Sequence, residues 1–213
     1  MTRARTAAVV TLGGTGASWV VATRRMNGMN MGVATRLGSF SYFIVLWVTM
    51  MAAMMLPSAA PAVVNCARGS ERALAAARFV VSYLVVWTLV GLAVYALYRP
   101  HGSIAAGGVA IAAGIYELTP FKRYCRRRCR ENLPSGFTYG ICCVGSSLGL
   151  MLLLVAVGVM SATWMLVIAV VVLAQKLLPA KIVVDLALSL AVIGLGILIV
   201  IAPSSIPGLT PLM

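Results

Sequence analysis

Met50-Met51-Ala52-Ala53-Met54-Met55, followed at once by Leu56-Pro57, places four thioethers within six residues. On a helix Met50 stacks over Met54 and Met51 over Met55, and Met51 and Met54 are neighbours across the ridge. Thioethers are soft ligands that suit Cu(I). They are also pliable packing material, so the block reads either as a metal site or as an adaptable core. A second group, Met26, Met29 and Met31, stands in the Gly- and Asn-rich stretch Met26-Asn27-Gly28-Met29-Asn30-Met31-Gly32. Apolar side chains in such a loop need a reason. Capture of Cu(I) or Ag(I) is one, and a loop dipping into lipid headgroups is the other.

Cysteines form two further groups. Cys125 and Cys129 bracket three arginines in Tyr124-Cys125-Arg126-Arg127-Arg128-Cys129. In a helix this spacing sets both thiols on one face, and the cations favour the ligating thiolate. Zinc would need two more ligands, and the loop offers no histidine. Cys142 and Cys143 lie inside a later apolar segment, where they serve as ligands or as small apolar packing. The chain has only four acidic residues. Two of them, Glu117 and Asp185, close or open apolar segments, where an ionisable group needs a partner or a task. Pairs Glu117–Lys176 and Asp185–Lys181 are one reading; ion coordination or proton transfer, with Glu117 as a candidate metal ligand, is the other. His101, beside Pro100, reads as a solvated loop residue.

These residues must be positioned by helices in a bilayer. With 62% hydrophobic residues, a mean hydropathy of +1.01 and 10% charged residues, the composition is that of an integral membrane protein. A soluble domain carries about a quarter of its residues as charges. The expected fold is an all-α polytopic bundle of six or seven transmembrane helices in a single membrane domain, residues 1–213. Apolar runs of about 20 residues suffice to span. They fall near Thr6–Thr23, Leu37–Val64, Phe79–Leu97, Ser103–Leu118, Phe137–Val159, Thr163–Leu178 and Ile182–Ala202. Residues 1–25 form a weak first span or anchor, and 26–202 the core bundle. Pro57 and Pro61 are expected to break the second span into a kink or re-entrant end. The Gly/Ala-rich fourth span is expected inside the bundle.

Lys and Arg are distributed thirteen to four when the N-terminus is placed in the cytoplasm, which sets the orientation by the positive-inside rule. The net charge of +13 is therefore a topology signal and not a nucleic-acid footprint. Its densest part, Lys122, Arg123, Arg126, Arg127, Arg128 and Arg130, is a face for anionic headgroups or a protein partner, at about 1 kcal/mol per basic residue near the surface.

Several segments together resemble a bacterial family, domain of unknown function 2182, described as predicted metal-binding integral membrane proteins. They are Met-Asn-Met-Gly at Met29–Gly32, the Trp47–Pro61 block, Tyr116-Glu117-Leu118-Thr119-Pro120 running on through Cys125 and Cys129, Gly158-Val159-Met160 with Trp164-Met165, and Lys176-Leu177-Leu178-Pro179. The resemblance covers roughly residues 26–179 and implies a multi-pass protein of the bacterial plasma membrane that binds metal. Members of that family carry a cysteine pair followed by Trp where this chain has Ser146-Ser147-Leu148, and Glu where it has Gln175. Both departures remove potential ligands.

The leading expectation is a membrane protein that binds or passes a soft metal ion, Cu(I) above all. Met26, Met29 and Met31 would collect it outside, Met51, Met54 and Met55 would hold it, and Cys125, Cys129, Cys142 and Cys143 would receive it. Copper is the one cofactor expected. No phosphate-binding Gly-x-x-x-x-Gly-Lys-Ser/Thr motif is present, and nothing pairs a nucleophile with a base, so the chain does not read as an enzyme. The rival reading is a non-catalytic subunit or assembly factor of a larger membrane complex, with its methionines, glycines and cysteines used for helix packing. A weaker third is a proton-coupled carrier built on Glu117 and Asp185.

Overall fold

The computed structural model describes residues 2–26, 38–67, 72–99, 102–131, 133, 135–158, 161–177 and 182–203. Among these residues the fold is wholly helical. The helices are α1 (Thr2–Met26), α2 (Phe40–Cys66), α3 (Arg72–Leu97), α4 (Ser103–Glu117), α5 (Pro120–Arg128), α6 (Gly136–Gly158), α7 (Ala162–Leu177) and α8 (Ile182–Ile201). Every segment read as a span is helical. Four helices are long and apolar enough to cross a bilayer, namely α2, α3, α6 and α8, and a fifth crossing is added if the bent pair α4–α5 is one broken span. α7 is a shorter apolar helix. Among the described residues, length and apolarity thus give four or five crossings against the six or seven expected.

The chain falls into two compact units. The first comprises Met1–Arg25, Leu37–Tyr98 and Arg127–Val144; the second comprises Met26–Arg36, Arg99–Arg126 and Gly145–Met213.

In the first unit α2 packs along α3. Trp47 donates its indole N–H to the Trp87 carbonyl at 2.9 Å, and Phe43 lies 5.3 Å from the ring of Tyr95. The rising and falling residue numbers make the two helices antiparallel. Gly91, one turn beyond Trp87, makes room for the indole: a Cβ there would stand 2.5 Å from Trp47 Cδ1 and 2.7 Å from Nε1. Alanine in place of glycine normally steadies a helix by about 1 kcal/mol. Here the ring is buried and its N–H is engaged, so it cannot step aside. Gly91→Ala is therefore expected to destabilise the protein by about 1–3 kcal/mol, the usual cost of overpacking, read as a lower unfolding midpoint in detergent.

α2 does not break at its prolines; it runs through Pro57 and Pro61 to Cys66. Pro57 lacks the N–H that would bond the carbonyl of Ala53, four residues back. That carbonyl instead accepts the indole N–H of Trp19 on α1 at 3.1 Å. The helix is thus unbroken, and the carbonyl that the proline frees is satisfied by a hydrogen bond from a neighbouring helix.

In the second unit α4 packs along α8 with backbone close to backbone. A Cβ on Gly114 would meet the Ser189 carbonyl at 3.0 Å, and one on Gly196 would meet the Gly107 carbonyl at the same distance. Ser189 Oγ donates across this contact to the Gly114 carbonyl at 2.7 Å. The small residues thus work as anticipated, but on one face only. Ile104 and Ile115 on the other side of α4 are 75% and 57% exposed, so the helix is not enclosed.

Candidate metal centre

Residues Met50 to Leu56 are buried without exception, nearly two turns of helix, so α2 is enclosed on all sides at this level. Met50, Met51, Met54 and Met55 are each at most 1% exposed. No other six-residue stretch of the sequence holds four methionines.

α3 and α6 connect this block to a cysteine. On α6, Cys143 is wholly buried, and its sulfur lies 3.2 Å from the hydroxyl of buried Tyr83 on α3. One turn earlier on α6, the hydroxyl of Tyr139 donates to the Ser58 carbonyl of α2 at 3.1 Å. The Tyr139 ring also lies 5.5 Å from Phe79 and 5.8 Å from Tyr83. α6 runs parallel to α3, since Gly136 packs on Phe79 and Gly140 on Val86, and therefore antiparallel to α2. From the Ser58–Tyr139 contact, stepping back four residues on α2 reaches Met54, and stepping forward four on α6 reaches Cys143. Each step is about 6 Å. Met54 and Cys143 thus stand at about the same level in one unit. Counting from the ends of the apolar segments alone sets these residues at different depths; Tyr139 is what fixes the register. Cys142, next to Cys143, is half-buried.

The second unit holds a polar cluster built by the Tyr116-Glu117-Leu118-Thr119-Pro120 segment. Glu117 ends α4, and α5 departs at 64°. Pro120 takes the first position of α5, where its missing N–H costs nothing. Thr119 caps the new helix, its hydroxyl accepting the Lys122 backbone N–H at 3.3 Å. Tyr116 donates to the Gly145 carbonyl of α6 at 2.6 Å.

This turn aims α5 so that Lys122 and Arg126, one helical turn apart, face inward. Lys122 forms an ion pair with Glu117, and Arg126 with Asp185 of α8; all four side chains are buried. Gln175 of α7 joins both pairs. Its side-chain amide donates to Glu117 Oε2 at 3.0 Å, and its backbone carbonyl accepts from Arg126 Nε at 2.7 Å. The other carboxylate oxygen of Glu117, Oε1, is buried without a hydrogen-bond partner among the described residues. A glutamate at position 175 would set a second carboxylate against Glu117, so the amide suits this arrangement.

Two expectations change accordingly. Glu117 pairs with Lys122, and Asp185 with Arg126, both cations of α5, which the expected pairs Glu117–Lys176 and Asp185–Lys181 did not include; Lys181 lies outside the described residues. The basic cluster, read as a face for headgroups or a partner, divides. Lys122 and Arg126 are buried, Arg127, Arg128 and Arg130 are exposed, and Arg123 is intermediate. The helix α5 was not anticipated as an element of the fold. The recurrence of Lys122 and Arg126 at one-turn spacing, in a chain with two membrane-level carboxylates, was its available signal.

The remaining candidates are dispersed. Cys125 is buried on α5 against Gly145, and Cys129 is half-buried in the turn that follows. α1 ends at Met26, while Met29 and Met31 lie outside the described residues. Among the described residues no three or more His, Cys, Asp and Glu gather to hold an ion. Thioether sulfur is therefore the donor that this chain concentrates.

A family model described as "PpoB2: Copper chaperone" matches residues 44–199. No curated protein and no solved structure matches the chain. The resemblance drawn from the methionine and Tyr-Glu-Leu-Thr-Pro elements holds at the level of a copper-related family, without the name of domain of unknown function 2182. The matched residues contain every candidate ligand except Met26, Met29 and Met31.

Proposed function

Because the chain belongs to the PpoB2 copper-chaperone family, we propose that it is a membrane protein that holds Cu(I) on the buried thioethers of α2 and passes it onward through thiols. Copper is cargo here, and the family is that of a chaperone, not of an enzyme.

The observation that carries this reading is the complete burial of Met50, Met51, Met54 and Met55 on one helix inside the family-matched region. Thioether ligation suits Cu(I) and disfavours harder divalent ions. A dry, apolar enclosure also shields a monovalent ion from water and oxidant. Cys143, at about the level of Met54 in the same unit, is the first thiol acceptor. Cys142, Cys125 and Cys129 are further acceptors, and Met26, Met29 and Met31 collect the ion before it enters. Glu117 is assigned to structure, since Lys122 and Gln175 share its Oε2.

Membrane integration is supported by the outward faces of α3 and α8. Val81, Leu89, Val183, Leu190 and Ile201 are each more than half exposed, a surface suited to hydrocarbon and not to water. With Arg127 and Arg128 exposed at the end of α5 and Arg130 just past it, an anionic leaflet is the surface they fit.

The test is the metal content of protein expressed with added copper and purified under reducing conditions. About one copper per chain is expected. A folded protein that takes up none under these conditions removes the proposal.

A further inference from the structure

Met50, Met51, Met54 and Met55 are sealed from outside, so an ion reaches them only if some element moves. The structure assigns that part to α1, with Trp19 as its catch; the inference rests on the copper site proposed for α2.

Three observations support it. First, Trp19 bonds the one carbonyl in the methionine block that Pro57 leaves without a helical donor, that of Ala53, between Met51 and Met54. A proline within the helix thus creates the receptor for the catch. Second, among the side chains of α1 whose burial is described, the buried ones are Thr11, Thr15 and Ala22, one narrow stripe of small groups. Third, its large apolar residues face away: Val9, Val10, Leu12 and Val20 are each more than half exposed. The Thr15 hydroxyl is turned back onto its own helix, donating to the Thr11 carbonyl at 2.9 Å. At its C-terminal end α1 is tied to α2 by Tyr42, whose hydroxyl donates to the Arg25 carbonyl at 3.3 Å and whose ring lies 6.0 Å from the Arg25 guanidinium. That end is the pivot, and at the level of the methionines Trp19 supplies the directional bond, with little apolar area beside it to oppose a swing outward.

When α1 is seated, Trp19 satisfies Ala53 and the thioethers are covered. When α1 lifts, the Ala53 carbonyl loses its partner and this side of the block opens. Trp19 acts on the site by positioning α1 and touches no ion.

The experiment uses the full chain with Trp19→Phe, Pro57→Ala and the double variant. Two readouts are taken: methionine oxidation by dilute peroxide, mapped by mass spectrometry, and the rate of Ag(I) uptake, Ag(I) serving as a soft ion that does not change oxidation state. Phenylalanine keeps an aromatic ring and removes the N–H together with the five-membered ring that carries it, and the Pro57→Ala background separates the lost bond from the lost volume. Loss of one neutral hydrogen bond shifts the seated-to-lifted ratio by about fivefold. Oxidation of Met51 and Met54, and Ag(I) uptake, are expected to quicken by that factor. In Pro57→Ala the helix regains its own donor to Ala53, so the further change to Phe at position 19 is expected to add little. This non-additivity is the signature of a direct coupling.

Met151 and Met165, buried in the other unit, serve as the control. Oxidation rising there as well would mean general loosening and would overturn the inference. So would an unchanged rate at Met51 and Met54, or an equal effect of Trp19→Phe with proline or alanine at 57. The two readings separate cleanly. Deprotected methionines with no Ag(I) bound by any variant leave the catch standing and remove the metal site. Ag(I) bound at unchanged rates does the reverse.

Discussion

Replacing Met51, Met54 and Met55 together by leucine is expected to abolish copper binding while the protein still folds. Leucine nearly conserves the volume of methionine, and such swaps in a core usually cost less than about 1.5 kcal/mol each. What it removes is the sulfur lone pair. With Met50 left alone in the block, affinity is expected to fall by about 100-fold or more, equivalent to about 2.7 kcal/mol. Competition titration with a Cu(I) chelator reads the affinity, and an unfolding curve on the same samples reads the fold. A triple variant that keeps its copper would move the site to the cysteines. A variant that loses copper only because it unfolds would return the methionines to packing.

Arg126→Met is expected to be among the most damaging single changes in the second unit. It strands the Asp185 carboxylate, which is 4% exposed, and removing one partner of such a buried pair typically costs about 3–5 kcal/mol. The charge, not the contact, sets this cost. Combining Arg126→Met with Asp185→Leu should recover much of the loss, because the double variant has no charge left to desolvate. Arg128→Gln provides the contrast. Arg128 and Glu131 are 47% and 55% exposed, and a pair so open to solvent contributes at most about 0.5–1 kcal/mol. Thermal unfolding of the detergent-solubilised variants orders the three. A double variant no more stable than Arg126→Met would show that the packing of the guanidinium matters more than its charge.

The helical segments were legible because apolar runs of membrane length are local signals. The burial of the methionine block followed from its place within such a run. Three features were hidden, each resting on a partner distant in the chain. α2 continues past Pro57 because a tryptophan 34 residues earlier satisfies Ala53, so a local rule about proline forecasts a break. α5 reads as a solvated basic loop until its inward cations meet Glu117 and Asp185, the latter 59 residues beyond Arg126. The level of Cys143 relative to Met54 depends on Tyr139 reaching Ser58, 81 residues away. Periodicity reports which face is apolar; it carries no information on which polar side chains from separate helices will meet.

The two buried ion pairs also differ in when they can form. Glu117 precedes Lys122 by five residues, so that pair is complete almost as soon as α5 emerges from the ribosome. Arg126 must wait for Asp185, 59 residues later. At about 5–20 residues per second this is about 3–12 s. For that interval a guanidinium destined for the interior has no carboxylate, and α5 cannot settle against α8 because α8 does not yet exist. The closing of the second unit is thereby tied to the synthesis of α8, and a chain cut short before Asp185 carries an unmatched charge that marks it as unfinished.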